Sequence, residues 1–179
     1  MMDGMMDGMI EMRVSQLTID PLSELPILIL SDVEGRHLVP IWIGAAEAAA
    51  IAAELGQVTH ARPMTHDLMA ALLRATAAEL HRVEVHDVQN GTYFASIVLG
   101  TGGKIQRVDA RPSDAVALAI RLGTPIWVAR KVLGETCELG PTARPQRSLT
   151  PAVERLAQVA PHVEPLEAIA EEDFGKWKM

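Results

Sequence analysis

The chain has 179 residues, 49% of them apolar and 22% charged, which is enough for one full core plus an appendage and excludes a disordered chain. A net charge of −7 argues against a protein that grips a long stretch of nucleic acid, because phosphate contacts dominate such affinity. The single cysteine, Cys137, excludes an internal disulfide and points to a reducing, cytoplasmic compartment.

Residues 1–11 carry a methionine-rich four-residue repeat with neither the basic region nor the long apolar run of a signal peptide. They are expected to be a disordered leader. From Met12 to Ile19, Met12 and Val14 and then Leu17 and Ile19 are spaced by two, the period of a strand. Pro26–Leu30 is a short, wholly apolar run and predicts a buried strand. Glu34-Gly35 turns the chain into a third strand, His37–Ile43. Gly44 then opens a helix over 45–55, closed by Gly56, with Ala48, Ile51 and Leu55 as its core stripe. Glu47 and Glu54 interrupt the alanine-rich stretch, so no run is long enough to span a membrane.

Arg62-Pro63-Met64-Thr65-His66-Asp67 heads a helix expected over 66–80. Thr65 suits the N-cap and Asp67 the positive helix end. Leu68, Met69, Leu72, Leu73, Thr76 and Leu80 form an apolar stripe expected to face a sheet. Strands 81–88 and 92–99 follow, joined by Asn90-Gly91, a strong hairpin signal. A glycine-rich turn leads into strand 104–109. Gly103-Lys104 is not a phosphate-binding P-loop, since Ile105 replaces the hydroxyl residue and a strand follows where a helix should.

The centre of the chain is Asp109-Ala110-Arg111-Pro112-Ser113-Asp114, running into an apolar stretch Ala115–Ile120 and ending at Arg121. Pro112 pre-sets the first helical turn, and Ser113 or Asp114 is placed to take orphan amides there. A helix without a polar side is expected to be buried. Charges at its mouth must then pair or bind something. Gly123 ends the helix, and 125–128 forms a last strand. Prolines at 141, 145 and 151 mark residues 134–151 as a linker. A short helix over 152–160 and an acidic segment make up a C-terminal tail, 152–179, whose Phe174 and Trp177 are apolar enough to dock on the domain or a partner.

Ala110-Arg111-Pro112 echoes Ala61-Arg62-Pro63, each entering an acid-bearing helix start. Helices lying side by side would bring two positive helix ends, two arginines and several acids together, an arrangement suited to phosphate. The plainer alternatives are ion pairs and helix caps.

Three stretches carry a family resemblance: Leu38–Gly44 with Glu47-Ala48, Arg62–Leu68, and Asp109–Ala119. Together they resemble the bifunctional nuclease domain over residues 12–133. The resemblance implies an α+β fold, a largely antiparallel sheet with packed helices. It also implies dimers, and activity on RNA and DNA. On this reading His66, Asp67, Asp109 and Asp114 are candidate catalytic groups. Arg62, Arg111, Thr65 and Ser113 are candidate phosphate contacts. Asp109, Asp114 and Glu47 are candidate ligands of Mg²⁺ or Mn²⁺, hard ions that prefer oxygen. Few aromatic residues are present for base stacking, so sequence-specific reading is not expected. The competing function is a non-catalytic, oligomeric ligand-binding or regulatory module. What separates the two is whether the acids point together into a cleft or each meets an arginine.

Overall fold

The computed structural model describes residues 8–133 and 148–149. Residues 1–7 of the expected leader, most of the linker and the whole tail at 152–179 lie outside the described residues. Within them the elements run β1 (Met9–Ile19), β2 (Pro26–Asp32), β3 (Leu38–Trp42), α1 (Ala45–Leu55) and α2 (Thr65–Ala75). Then come β4 (Glu79–Gln89), β5 (Thr92–Thr101), β6 (Lys104–Ala110), α3 (Pro112–Leu122), β7 (Ile126–Ala129), α4 (Arg130–Leu133) and β8 (Ser148–Leu149).

The strands form one sheet in the order β3-β2-β1-β7-β4-β5-β6, with β8 beside β1. All pairings are antiparallel except β4 with β7 and β1 with β8. The fold is α+β, as the resemblance implied. β1 begins at Met9, so Met9–Glu11 are not part of a leader: they pair with Trp127–Ala129 of β7. Ser148 and Leu149, inside the expected linker, pair with Gln16 and Leu17.

α3 carries the chain from the edge strand β6 back to β7 in the sheet interior, packing over β4 and β5. Its residues Ala115–Ala119 are all buried, which is where an apolar helix with no polar side has to go. α1 lies against α3 through Ala48, Ile51 and Ala52, all wholly buried. Small side chains there allow the two helices a close approach. Gly123 closes α3 with φ +66, a left-handed conformation natural to glycine.

Two expectations about α2 need correction. It ends at Ala75 rather than reaching residue 80, because Ala77 takes φ +51 and Leu80 is a buried residue of β4. Its supposed sheet-facing stripe is turned outward: Leu68, Met69 and Leu72 are 54%, 40% and 55% exposed, whereas His66 and Ala70 are buried. Periodicity identifies an apolar face but not which of two faces packs inward. Glu84 is a second surprise. It alternates with Val83 and Val85 and so should face water, yet it is buried beneath the guanidinium groups of Arg82 and Arg107.

Candidate functional site

The starts of α2 and α3 meet. Pro112 and Thr65 are the first residues of the two helices, which makes His66 and Ser113 second, and Asp67 and Asp114 third, in their first turns. Carboxylates at this position favour the positive helix end. The N-caps are Met64 and Arg111, neither of which caps with its side chain, so Thr65, Ser113 and Asp114 do not serve as caps.

Asp114 is the hub. Its Oδ1 lies 3.1 Å from His66 Nε2, and Arg111 donates from Nε to Oδ2 at 2.6 Å and from Nη2 to Oδ1 at 3.1 Å. Arg111 Nη2 also reaches Glu47 Oε1 at 2.8 Å, which draws α1 into the cluster. Glu47 in turn folds back over Gly44, leaving no room for a side chain there: a Cβ at Gly44 would collide with the Glu47 carboxylate. Burial pushes the Asp114 carboxyl upward, but the Arg111 and His66 hydrogen bonds outweigh it and hold the group below the usual carboxylate range. Arg111 is held more firmly protonated by Asp114 first and Glu47 second, although its side chain is 65% exposed.

His66 is only 5% exposed. A carboxylate only accepts, so Nε2 is the nitrogen that donates to Asp114. Nδ1 is buried and meets no hydrogen-bond partner among the described residues. Ser113 is buried in the first turn of α3, Thr65 is exposed, and Arg62 is exposed in the approach to α2.

Asp67 does something different. Its Oδ2 accepts the Met64 N–H at 2.8 Å and its Oδ1 accepts Arg121 Nε at 2.7 Å. Arg121, 6% exposed in its side chain, also donates to Ala117 O and Ala50 O, each at 2.9 Å, with Glu54 at 3.8 Å. One guanidinium therefore ties α1, α2 and α3 together. Burial raises the Asp67 carboxyl and Arg121, Met64 and His60 lower it, with a net fall. Sequence reasoning noticed Arg121 only as the charge that ends the helix. The available signal was a lone arginine closing the wholly apolar run Ala115–Ile120.

Asp109 stands apart. It pairs across the sheet with Ser96, whose other neighbour is Glu84, and it is exposed on β6 without an ion pair among the described residues. The expected Mg²⁺ or Mn²⁺ site, Glu47 with Asp109 and Asp114, is thus not assembled: two of its acids are turned onto Arg111 and the third lies elsewhere. No group of three histidine, cysteine or acidic residues poised for a metal occurs among the described residues. As they stand, these side chains do not fit a divalent ion.

A family profile of the bifunctional nuclease domain matches residues 28–138, the stretch that holds every residue of this cluster. The chain belongs to the bifunctional nuclease domain family. Uncharacterized proteins from two strains of Mycobacterium tuberculosis, CDC 1551 and H37Rv, are 37% identical over 164 residues, covering 92% of this chain and 97% of theirs. Among the described residues of this bifunctional nuclease domain, no helix is long and apolar enough to cross a membrane.

Proposed function

We propose that the chain is a nuclease-like phosphodiesterase acting on RNA or DNA without sequence specificity, and that it takes the substrate phosphate at the start of α3. The observation that carries this reading is the meeting of Arg111, Asp114, His66 and Glu47, from three helices, in a member of a nuclease-named family. Arg111 keeps an exposed guanidinium at a positive helix end; with Nε and Nη2 held by Asp114 and Glu47, its Nη1 is left to donate to a phosphate oxygen. Arg62, exposed before α2, supplies a second cation from the neighbouring helix start. Glu47 and Asp114 preorient Arg111. Asp114 also fixes the buried His66 ring through Nε2, which ties the start of α2 to that of α3. Thr65 and Ser113 line the two first turns. Because the acids do not fit a metal as arranged, no step is assigned to Mg²⁺ or Mn²⁺.

The test is cleavage of single-stranded RNA and DNA by the purified chain, with and without EDTA, beside the melting temperature of each variant. Arg111→Gln and Asp114→Asn are expected to cut the rate about a hundredfold, the usual loss when one electrostatic contact to the transition state goes. A wild-type protein that cleaves neither polymer overturns the reading, as do two variants that both cleave at full rate.

One observation favours the non-catalytic alternative. Glu47 and Asp114 meet Arg111, and Asp67 meets Arg121, so three of the expected acids are neutralised by arginines. A binding or regulatory module needs only such ion pairs to shape its pocket. Oligonucleotide binding measured by fluorescence anisotropy, with no cleavage, would select this reading.

A further inference from the structure

The turn between β1 and β2 carries the most exposed large apolar side chain among the described residues, Leu22 at 94%. Leu25 in the same turn is 49% exposed, and Trp42 at the end of β3 is 51% exposed. The turn is firmly tied. Asp20 Oδ1 accepts the Leu22 N–H at 3.1 Å, and Oδ2 accepts Ser23 Oγ at 2.5 Å and Trp42 Nε1 at 3.4 Å. Asp20 N donates to Leu25 O at 2.8 Å and Glu24 N to Asp20 O at 2.9 Å. Glu24 takes φ +58, a left-handed conformation that a side chain disfavours. One carboxylate therefore holds the turn and Trp42 together as a single apolar patch. Fixed in place and covered by nothing among the described residues, such a patch forgoes the burial that a docked segment would give it.

β8 brings the chain to this patch. It runs parallel to β1, with Ser148 level with Gln16 and Leu149 with Leu17. Carried forward in that register, Thr150 comes level with Thr18, Pro151 with Ile19 and Ala152 with Asp20, where the turn begins. Pro151 has no N–H and cannot extend the ladder. It suits a first helical position instead, with Thr150 as the N-cap before it. The segment that follows, 152–160, has the pattern of a helix with one apolar side. At about 100° per residue, Val153, Leu156, Ala157 and Ala160 share one face, and Glu154, Arg155 and Gln158 share the other. A stripe of that kind needs an apolar surface to lie on.

We infer that the patch formed by Leu22, Leu25 and Trp42 is the docking surface for this chain's own segment 152–160, laid as a short helix across the turn. Continuity selects the occupant, because the β8 pairing sets the segment down at Asp20 with no intervening loop. A cavity of about 760 Å³ between β1 and the end of α3 is the other candidate seat, but it lies beside residues 11–15 of β1, behind the point where β8 begins. The docking is independent of the chemistry proposed at Arg111.

Cysteine chemistry on the full chain tests this. In a Cys137→Ser background, Leu22→Cys should react with a maleimide at least about tenfold more slowly than in the same protein unfolded in urea. Adding Leu156→Glu should restore most of that rate, with the circular dichroism of the domain close to wild type. The protection should not change between about 1 and 100 μM protein. Leu156→Cys should also close an intrachain disulfide with Leu22→Cys or Leu25→Cys, and not with Met69→Cys, a 40% exposed position on α2. A Leu22→Cys protein that reacts at its unfolded rate overturns the inference and leaves the patch to a separate partner. Protection that survives Leu156→Glu overturns it in favour of another segment, and protection that grows with concentration in favour of a second copy. Disulfides that form as readily from position 69 as from 22 or 25 also overturn it.

Discussion

Replacing Asp67 by alanine should destabilise the domain without touching whatever chemistry occurs at Arg111. The substitution strips Arg121 Nε of its acceptor at 2.7 Å and the Met64 N–H of its acceptor at 2.8 Å. Removing one partner of a fully buried ion pair costs about 3–5 kcal/mol. Here Arg121 is buried, but Asp67 is 36% exposed in its side chain, and Ala50 O and Ala117 O still accept from the guanidinium. These discount the loss to about 2 kcal/mol. The missing cap at the start of α2 adds about 1 kcal/mol. A total near 3 kcal/mol corresponds to a fall in melting temperature of about 6–12 °C for a chain of this size. Thermal unfolding followed by circular dichroism measures it. Cleavage per folded molecule, measured well below the transition, should match wild type if Asp67 acts only through Arg121. A fall of less than about 2 °C would refute the three-helix clamp. A normal melting temperature with lost cleavage would return Asp67 to the chemistry.

Asp32, Asp67 and Asp114 all titrate below the ordinary carboxylate range, Asp32 because the His37 and backbone hydrogen bonds outweigh its burial. Groups with depressed folded values stabilise above the unfolded value of about 3.9 and lose that contribution as pH falls through the folded value. The melting temperature should therefore drop steeply below about pH 4, and Asp32→Asn should flatten that drop, as pH-dependent unfolding will show. Gly44→Ala pushes a methyl group into the Glu47 carboxylate. It should release Arg111 from Glu47 and lower cleavage or oligonucleotide affinity more than melting temperature. Gly123→Ala forces a side chain into φ +66 and should cost about 1–2 kcal/mol, read as a lower melting temperature with activity unchanged.

Much of the fold was legible because its signals are local. Alternation located the strands, Asn90-Gly91 the hairpin, and Gly44, Gly56 and Gly123 the helix ends. The buried α3 followed from its lack of any polar side. The exceptions share one cause, which is that partners distant in sequence decide them. Leu80 looks like the last turn of α2 until β5 is there to pair with it as a strand residue. Glu84 looks solvated until Arg107, from a strand two places on in the chain, covers it. Met9–Glu11 look like a leader until β7 arrives beside them.

The two Arg-Pro motifs show how far the site itself could be read. Their likeness suggests that the helix starts they head lie together, and His66 against Asp114 is that meeting. The motifs are not equivalent in place, however. Arg111 is the N-cap of α3 and Pro112 its first residue, whereas Pro63 precedes the Met64 cap and Arg62 lies one residue further out. That shift decides what each third-position acid does. Asp114 has an arginine side chain within one turn and closes on it. Asp67 has none, so it takes its own helix's free Met64 amide and the arginine that ends the neighbouring helix. Two acids alike in sequence thus divide the work. One holds an exposed cation at the start of α3, and the other locks the helices that hold that cation in place.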